Sequence, residues 1–106
     1  MRTFAEFWPH YVRDHSHRGN RRLHFVGTLL VLLLALAAPA TGYWWLALAL
    51  PVVGYGFAWI GHFLLERNRP ATFRHPFWSL AADFKMFALM LIGRMEAEVE
   101  RASHAK

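Results

Sequence analysis

Seven histidines and no cysteine stand among the 106 residues of this chain. Disulfides, thiolate metal sites and cysteine nucleophiles are therefore excluded, and any metal must be held by nitrogen and oxygen. Four imidazoles, on His15, His24, His62 and His75, sit near the two ends of a long apolar stretch, whereas His10, His17 and His104 are expected to be exposed. His17 is close enough to His15 to compete with it. In one unbroken helix His15 and His24 would point to opposite faces, so they converge only if the chain breaks between them. Gly19-Asn20 supplies that break, Gly as a terminator and Asn20 as the N-cap of the next helix. His62 and Glu66 are i, i+4 and share a helical face. Three or four imidazoles with a nearby carboxylate suit Fe(II), Zn or Mn, and nitrogen-oxygen sites with open positions suit oxygen chemistry at iron. Each histidine also has an ordinary reading, as a snorkelling or hydrogen-bonded residue at a membrane interface. Glu66 has the alternative of a salt bridge to Arg22 or Arg69. Asp83 either supports an imidazole from behind or pairs with Lys85 or an interfacial arginine.

The elements that must position these side chains are dictated by charge. From Leu23 to Leu65 there is no Asp, Glu, Lys or Arg, a run of 43 residues. A bilayer core takes roughly 20 apolar residues per helical span, so this run is two spans and a turn, and an ordinary water-soluble domain is excluded. The formal charge of +5 and pI near 10.5 do not point to nucleic acid, because the basic residues flank the apolar spans instead of lining a polar face. A cleavable leader ending near Ala40 is rejected, since 22 polar and aromatic residues precede the apolar run and a second apolar segment follows at once.

The expected fold is all-α: one membrane domain over residues 1–106, built on a helical hairpin with a third apolar helix. Residues 1–19 form an interfacial helix carrying Phe4, Phe7, Trp8 and Tyr11 on one side. Span one covers 20–38, the turn is Pro39-Ala40-Thr41-Gly42, and span two covers 43–66 with a kink near Pro51. Asn68 suits the end of that helix, and Pro76 the first turn of the next. The third helix covers 77–93 and is favoured as membrane-inserted, although Asp83 and Lys85 interrupt it. Residues 94–106 form a polar helical tail that frays.

Arg13, Arg18, Arg21 and Arg22 precede span one and Arg67, Arg69 and Arg74 follow span two, while the intervening turn carries no charge. This bias places the N-terminus and the 66–76 loop in the cytoplasm. Folding the hairpin at its turn puts His24 and His62 at depths of about 25 and about 32 Å on adjacent helices, with His15 and His75 flanking the same mouth.

The stretches Tyr11-Val-Arg-Asp-His15, Asn20-Arg-Arg-Leu-His24-Phe-Val-Gly27-Thr28, Gly61-His62-Phe-Leu-Leu-Glu66-Arg-Asn-Arg-Pro70-Ala71-Thr-Phe-Arg-His75-Pro76 and Trp78-Ser-Leu-Ala-Ala-Asp83-Phe resemble the 2-hydroxy fatty acid dioxygenase family, in its short prokaryotic form. The resemblance runs from about Phe4 to Gly93. It implies an integral membrane, Fe(II)-dependent enzyme of fatty acid α-oxidation, placed in the bacterial inner membrane, that shortens a 2-hydroxy acyl chain by one carbon with O2. His15, His24 and His62 match its essential histidines, and Glu66 and Pro70-Ala71 match the motif after the third; His75 and Asp83 fit the short members. The implied site has Fe(II) on His15, His24, His62 and His75, with Glu66, Asp83 and Asn20 behind them. Arg22, Arg67, Arg69 and Arg74 are the candidates for the substrate carboxylate. The expected partners are the hydroxy acid, O2 and the bilayer, with self-association left open. The rival readings are a non-catalytic lipid-binding or scaffold protein, indifferent to loss of the histidines, and a zinc-dependent membrane hydrolase, indifferent to oxygen.

Overall fold

Helix α2, Arg18–Thr41, is the longest element of the computed structural model, which describes residues 2–104. At 1.5 Å per residue its 24 residues are about 36 Å long. It ends where Gly42 turns left-handed at φ 77°, returning its N–H to Ala38, a conformation that costs glycine nothing. Pro39, expected in the turn, lies inside the last part of the helix instead, and Gly42 alone makes the reversal.

The second apolar segment, Trp44–Glu66, is continuous but changes pitch twice. A 3-10 turn over Trp44–Leu48 leads into α3, Ala49–Ile60, and a π-helical turn over Gly61–Glu66 closes it. Pro51 therefore falls just after the 3-10 to α junction, and a second change of pitch, the π turn, lies at the far end. These two segments, with mean hydropathies of 2.2 and 1.6, are the two among the described residues that are long and apolar enough to cross a membrane. Their apolar side chains are mostly uncovered: Leu36, Leu48 and Val52 are 69%, 76% and 72% exposed. A soluble core helix would have those residues inside the protein.

The buried core lies elsewhere. Helices α1 (Phe4–Arg13), α4 (Pro76–Leu91) and α5 (Met95–His104) enclose Phe7, Trp8, Tyr11, Val12, Ala82, Met86, Met95 and Ala102. The aromatic face of α1 thus packs on α4 and α5. The C-terminal tail is helical as expected, from Met95 to His104. Met95, Val99 and Ala102 recur on one face and enter the core or its margin, while Glu98 accepts from Trp8 Nε1 at 2.8 Å and Glu96 from Arg21 at 2.8 Å. Residues 105–106 of that tail, and residue 1, lie outside the described residues. Helix α4 begins at Pro76 as the sequence suggests. Its 16 residues fall short of the roughly 20 a span requires, and its buried face, Ser79, Ala82 and Met86, turns toward the protein.

The break that frees His15 from His24 comes earlier than Gly19-Asn20. Helix α1 stops at Arg13, and α2 starts at Arg18 with His17 as its N-cap, its ring accepting from the Gly19 N–H at 2.9 Å. Long-range bonds hold the break open. Glu66 accepts from the His17 N–H and, at 3.3 Å, from the Ser16 hydroxyl. The buried Arg21 guanidinium donates to the carbonyls of His15 and Ser16 at 2.8 and 2.7 Å. Asn20, expected as the cap, is inside α2 and fully buried against Gly61. A Cβ on Gly61 would lie 1.9 Å from Asn20 Oδ1, so α2 and the π turn touch there only because position 61 has no side chain.

Candidate metal centre

Three elements each deliver one imidazole. His15 comes from the link after α1, His24 from α2 nearly two turns beyond its start, and His62 from the π turn, and all three are buried. One ligand nitrogen from each lies within 4.8 Å of the other two. The rings stand nearly perpendicular, at 82° to 89° for the three pairs, with centroids 4.4 to 5.0 Å apart. That is how three donors aim at a common point instead of stacking.

The proton positions follow from what each Nδ1 touches. His15 Nδ1 is 2.6 Å from the Tyr11 carbonyl and His24 Nδ1 is 3.0 Å from the Asn20 carbonyl. A carbonyl only accepts, so both Nδ1 atoms carry hydrogen. His62 Nδ1 is 2.7 Å from Asn68 Oδ1, and that amide is oriented by its own Nδ2, which donates to the Asp14 carbonyl at 3.0 Å. All three neutral imidazoles therefore turn a bare Nε2 lone pair inward. His15 Nε2 and His24 Nε2 are 3.2 Å apart. Two lone pairs facing at that distance repel unless a cation lies between them. Burial, then the neighbouring His24 and His62, hold the His15 imidazole well below the usual histidine range, which disfavours a proton in that role. Two imidazole nitrogens each about 2.1 Å from a first-row ion lie about 3.0–3.4 Å from one another. The donor set and the observed spacing both fit such an ion.

Other expected members of the site lie around it. His75 is not brought to the cluster: its ring stacks on Trp78 at 5.0 Å and meets Phe7 edge-on at 5.4 Å, because the 3-10 turn Ala71–Phe73 and Pro76 direct it to the α1 side. Glu66, expected to share a face with His62, instead reaches Ser16 and His17, since a π turn does not superpose positions i and i+4. Among the described residues it pairs with neither Arg22 nor Arg69. Asp83 accepts from the Tyr11 hydroxyl, and Tyr11 in turn stacks on His15 with ring centroids 3.9 Å apart. Burial raises the Asp83 carboxyl to about 6, the Tyr11 hydrogen bond opposing the rise. Lys85 lies over the Trp8 ring at 4.2 Å. His10, His17 and His104 are exposed. Asn20 provides its carbonyl to His24, while its side-chain amide has no hydrogen-bond partner.

A cavity of about 230 Å³ between α2, α3 and α4 reaches the cluster at His24 and His62. Its walls are largely apolar, including Val31, Leu50, Leu80 and Phe84, and besides the two imidazoles its polar lining residues are Thr28, Tyr55, Thr72, Ser79 and Asp83. Thr72 and Ser79 hydroxyls are 3.0 Å apart. Arg22, Arg67, Arg69 and Arg74 are all exposed, and none lines the cavity. Pro70, Ala71 and Thr72 do line it, so Arg69 and Arg74 are close neighbours in sequence of the lining.

Sequence reasoning missed Asn68 and Arg21. Asn68 reads as a helix stop, but the stop is Arg67, at φ 59° in the left-handed region. That turn sends the Asn68 N–H to the His62 carbonyl at 3.0 Å and its side chain to His62 Nδ1. An Asn six residues after a histidine carries no recognisable local signal. Arg21 reads as one more topogenic arginine, and only its burial at 3% exposure reveals a structural role.

No curated protein and no solved structure matches the chain. The profile of one family does, over residues 1–95, which includes the three imidazoles, Asn68 and Asp83. The chain belongs to the 2-hydroxy-palmitic acid dioxygenase Mpo1-like family.

Proposed function

We propose that the protein is an Fe(II)-dependent membrane dioxygenase of fatty acid α-oxidation, converting a 2-hydroxy fatty acid to the fatty acid one carbon shorter with O2. The observation that carries this reading is the convergence of three bare Nε2 atoms whose tautomers are fixed by Tyr11, Asn20 and Asn68. His15, His24 and His62 would hold the ion, leaving positions open for substrate and oxygen. Iron bound there supplies oxygen activation, which no side chain of this protein can perform.

The chain's own part is binding and placement. The apolar wall of the cavity receives the acyl tail, and the Thr72–Ser79 hydroxyl pair and Asp83 meet the oxygenated end beside His24 and His62. Arg69 and Arg74, with Arg22 and Arg67 farther round the mouth, attract the carboxylate toward the cavity before it enters. Asp83 and Tyr11 support His15 from behind its ring. The hairpin of α2 and α3 lies in the bilayer with its uncovered leucines in lipid, so the hydroxy acid reaches the cavity laterally from the membrane. The arginines flanking the hairpin support a topology with the N-terminus and the 66–76 loop in the cytoplasm, the orientation proposed here for a bacterial inner-membrane enzyme.

Paired aerobic and anaerobic incubations of Fe(II)-loaded protein with 2-hydroxypalmitate test the proposal. An odd-chain fatty acid formed only with oxygen is expected. Its absence, or equal yield without oxygen, removes the activity; faster turnover with Zn than with Fe(II) would favour the hydrolase reading.

A further inference from the structure

A column of aromatic rings runs from the imidazoles to the protein surface. Tyr11 lies on His15, centroids 3.9 Å apart and planes 24° apart, and Trp8 lies on Tyr11 at 5.5 Å and 14°. Each of these two rings has one oxidisable X–H bond, and each donates it to a carboxylate. The Tyr11 hydroxyl donates to Asp83, and the Trp8 indole N–H donates to Glu98 at 2.8 Å. Tyr11 is 1% exposed and Trp8 is 8% exposed. Beyond Trp8 is a small surface cavity of about 110 Å³ bordered by Glu98 and Arg101, and Lys85 stands over the Trp8 ring.

Packing accounts for a stack of rings. It does not by itself place a carboxylate on each one: Asp83, half-buried, takes the Tyr11 hydroxyl, and Glu98, with its side chain 15% exposed, is held between the Trp8 indole and Arg101, each at 2.8 Å. The carboxylates make sense where the rings lose protons. Phenol and indole give up an electron far more readily when the proton can leave at the same time, and rings in contact pass electrons quickly.

We propose that Trp8 and Tyr11 form a relay that drains oxidising equivalents from the imidazole site when oxygen is activated without productive substrate. The relay rests on reading that site as a metal-dependent oxygenase centre. In the first step an oxidant of the partially reduced oxygen class, arising at the imidazoles, takes one electron from Tyr11, and the phenolic proton passes to Asp83. A neutral tyrosyl radical and a neutral carboxylic acid result. Trp8 then gives one electron to that radical while Asp83 returns its proton to the phenol oxygen, which restores Tyr11. The indole proton passes to Glu98, so the tryptophan radical is neutral and places no second positive charge beneath Lys85. A one-electron reductant of the thiol or ascorbate class, arriving at the Trp8 cavity, refills the hole and Glu98 gives the proton back. Arg101, which lines that cavity, favours an anionic reductant. The net change is one electron moved from external reductant to oxidant, with every side chain recovered.

The test uses full-length protein loaded with Fe(II) and treated with hydrogen peroxide in the absence of hydroxy acid, then freeze-quenched for electron paramagnetic resonance and digested for peptide mass spectrometry. Peroxide drives one-electron oxidation wherever iron is bound, so the outcome does not depend on turnover of 2-hydroxy acids, which product analysis measures separately. The wild-type protein is expected to give an aromatic radical signal and oxygen addition at Trp8 and Tyr11, with His15, His24 and His62 spared. Y11F should lose the tyrosyl signal and show severalfold more oxidation on the three histidines. D83N, which keeps a polar partner for the phenol but not the proton acceptor, should shift damage the same way, so the result does not hang on one variant's folding. Equal histidine oxidation in wild type, Y11F and D83N would overturn the relay. Wild-type oxidation confined to the histidines without an aromatic radical would overturn it too, as would an absence of iron-dependent, site-selective oxidation.

Discussion

Asn68 is the residue whose replacement reports most directly on how the imidazoles are held. Its side chain bridges His62 Nδ1 at 2.7 Å and the Asp14 carbonyl at 3.0 Å, and so fixes both the tautomer and the angle of one ligand. Asn68→Ala deletes both bonds, each worth about 1 kcal/mol net. It also allows His62 to carry its proton on Nε2, the atom that has to bind. Removal of such a supporting partner typically lowers metal affinity 10–100-fold, which is about 1.4–2.7 kcal/mol. Competition with a chromogenic chelator in detergent solution measures this, alongside a thermal melt of the metal-free protein to show that the variant is folded. Asn68→Asp separates the two bonds, since it keeps the acceptor for His62 and loses the donor to Asp14. Its metal affinity should equal or exceed wild type while its melting temperature falls. A folded Asn68→Ala protein within about twofold of wild-type affinity would mean that His62 is oriented by something other than Asn68.

Other perturbations have equally definite outcomes. His75→Ala should leave metal affinity unchanged in the same competition assay while lowering the melting temperature, because His75 packs between Phe7 and Trp78; His15→Ala, His24→Ala or His62→Ala should each abolish tight binding. Gly61→Ala should cost about 1–3 kcal/mol of stability and weaken metal binding, since the new Cβ would fall 1.9 Å from Asn20 Oδ1; a variant with wild-type melting temperature would show that the contact is soft. Asp83 is raised from 3.8 to about 6 by burial, so its ionisation opposes folding above about pH 6, and that cost fades as pH falls through 6 toward 3.8. Asp83→Asn should therefore stabilise the protein by about 1–3 kcal/mol at pH 7.5 and by little at pH 4, a difference that thermal melts at the two pH values would read.

The convergence of His15, His24 and His62 is visible in the sequence because it rests on topology: an uncharged run long enough for two spans must fold back, and residues at its ends meet. What surrounds them depends on local geometry that one-dimensional spacing misstates. His75 has the same claim to the mouth as His62 by position, yet a three-residue 3-10 turn and Pro76 deliver it to the aromatic core. Glu66 lies on the wrong side of an irregularity, because the π turn at Gly61–Glu66 advances differently from an α-helix. The break before α2 is set by Arg21 and Glu66 acting across 5 to 50 residues of sequence, so the local signal at Gly19-Asn20 loses to tertiary bonds. The packing of α5 was hidden by composition, since Met95, Val99 and Ala102 form a narrow apolar stripe in a segment dominated by Glu96, Glu98 and Glu100. Asn68 and Tyr11 show the general limit: a residue that serves a ligand through one hydrogen bond or one ring face is defined by orientation, which spacing does not encode.

In the proposed site three neutral imidazoles, each held by its Nδ1, present their Nε2 atoms to one iron ion. An anomalous difference map from crystals of Fe(II)-loaded protein, collected on both sides of the iron absorption edge, tests it most directly. One iron peak per chain is expected, about 2.1 Å from Nε2 of His15, His24 and His62 and away from His75. A map with no iron peak at that point, or with iron bound through His75 or the exposed histidines instead, would contradict it.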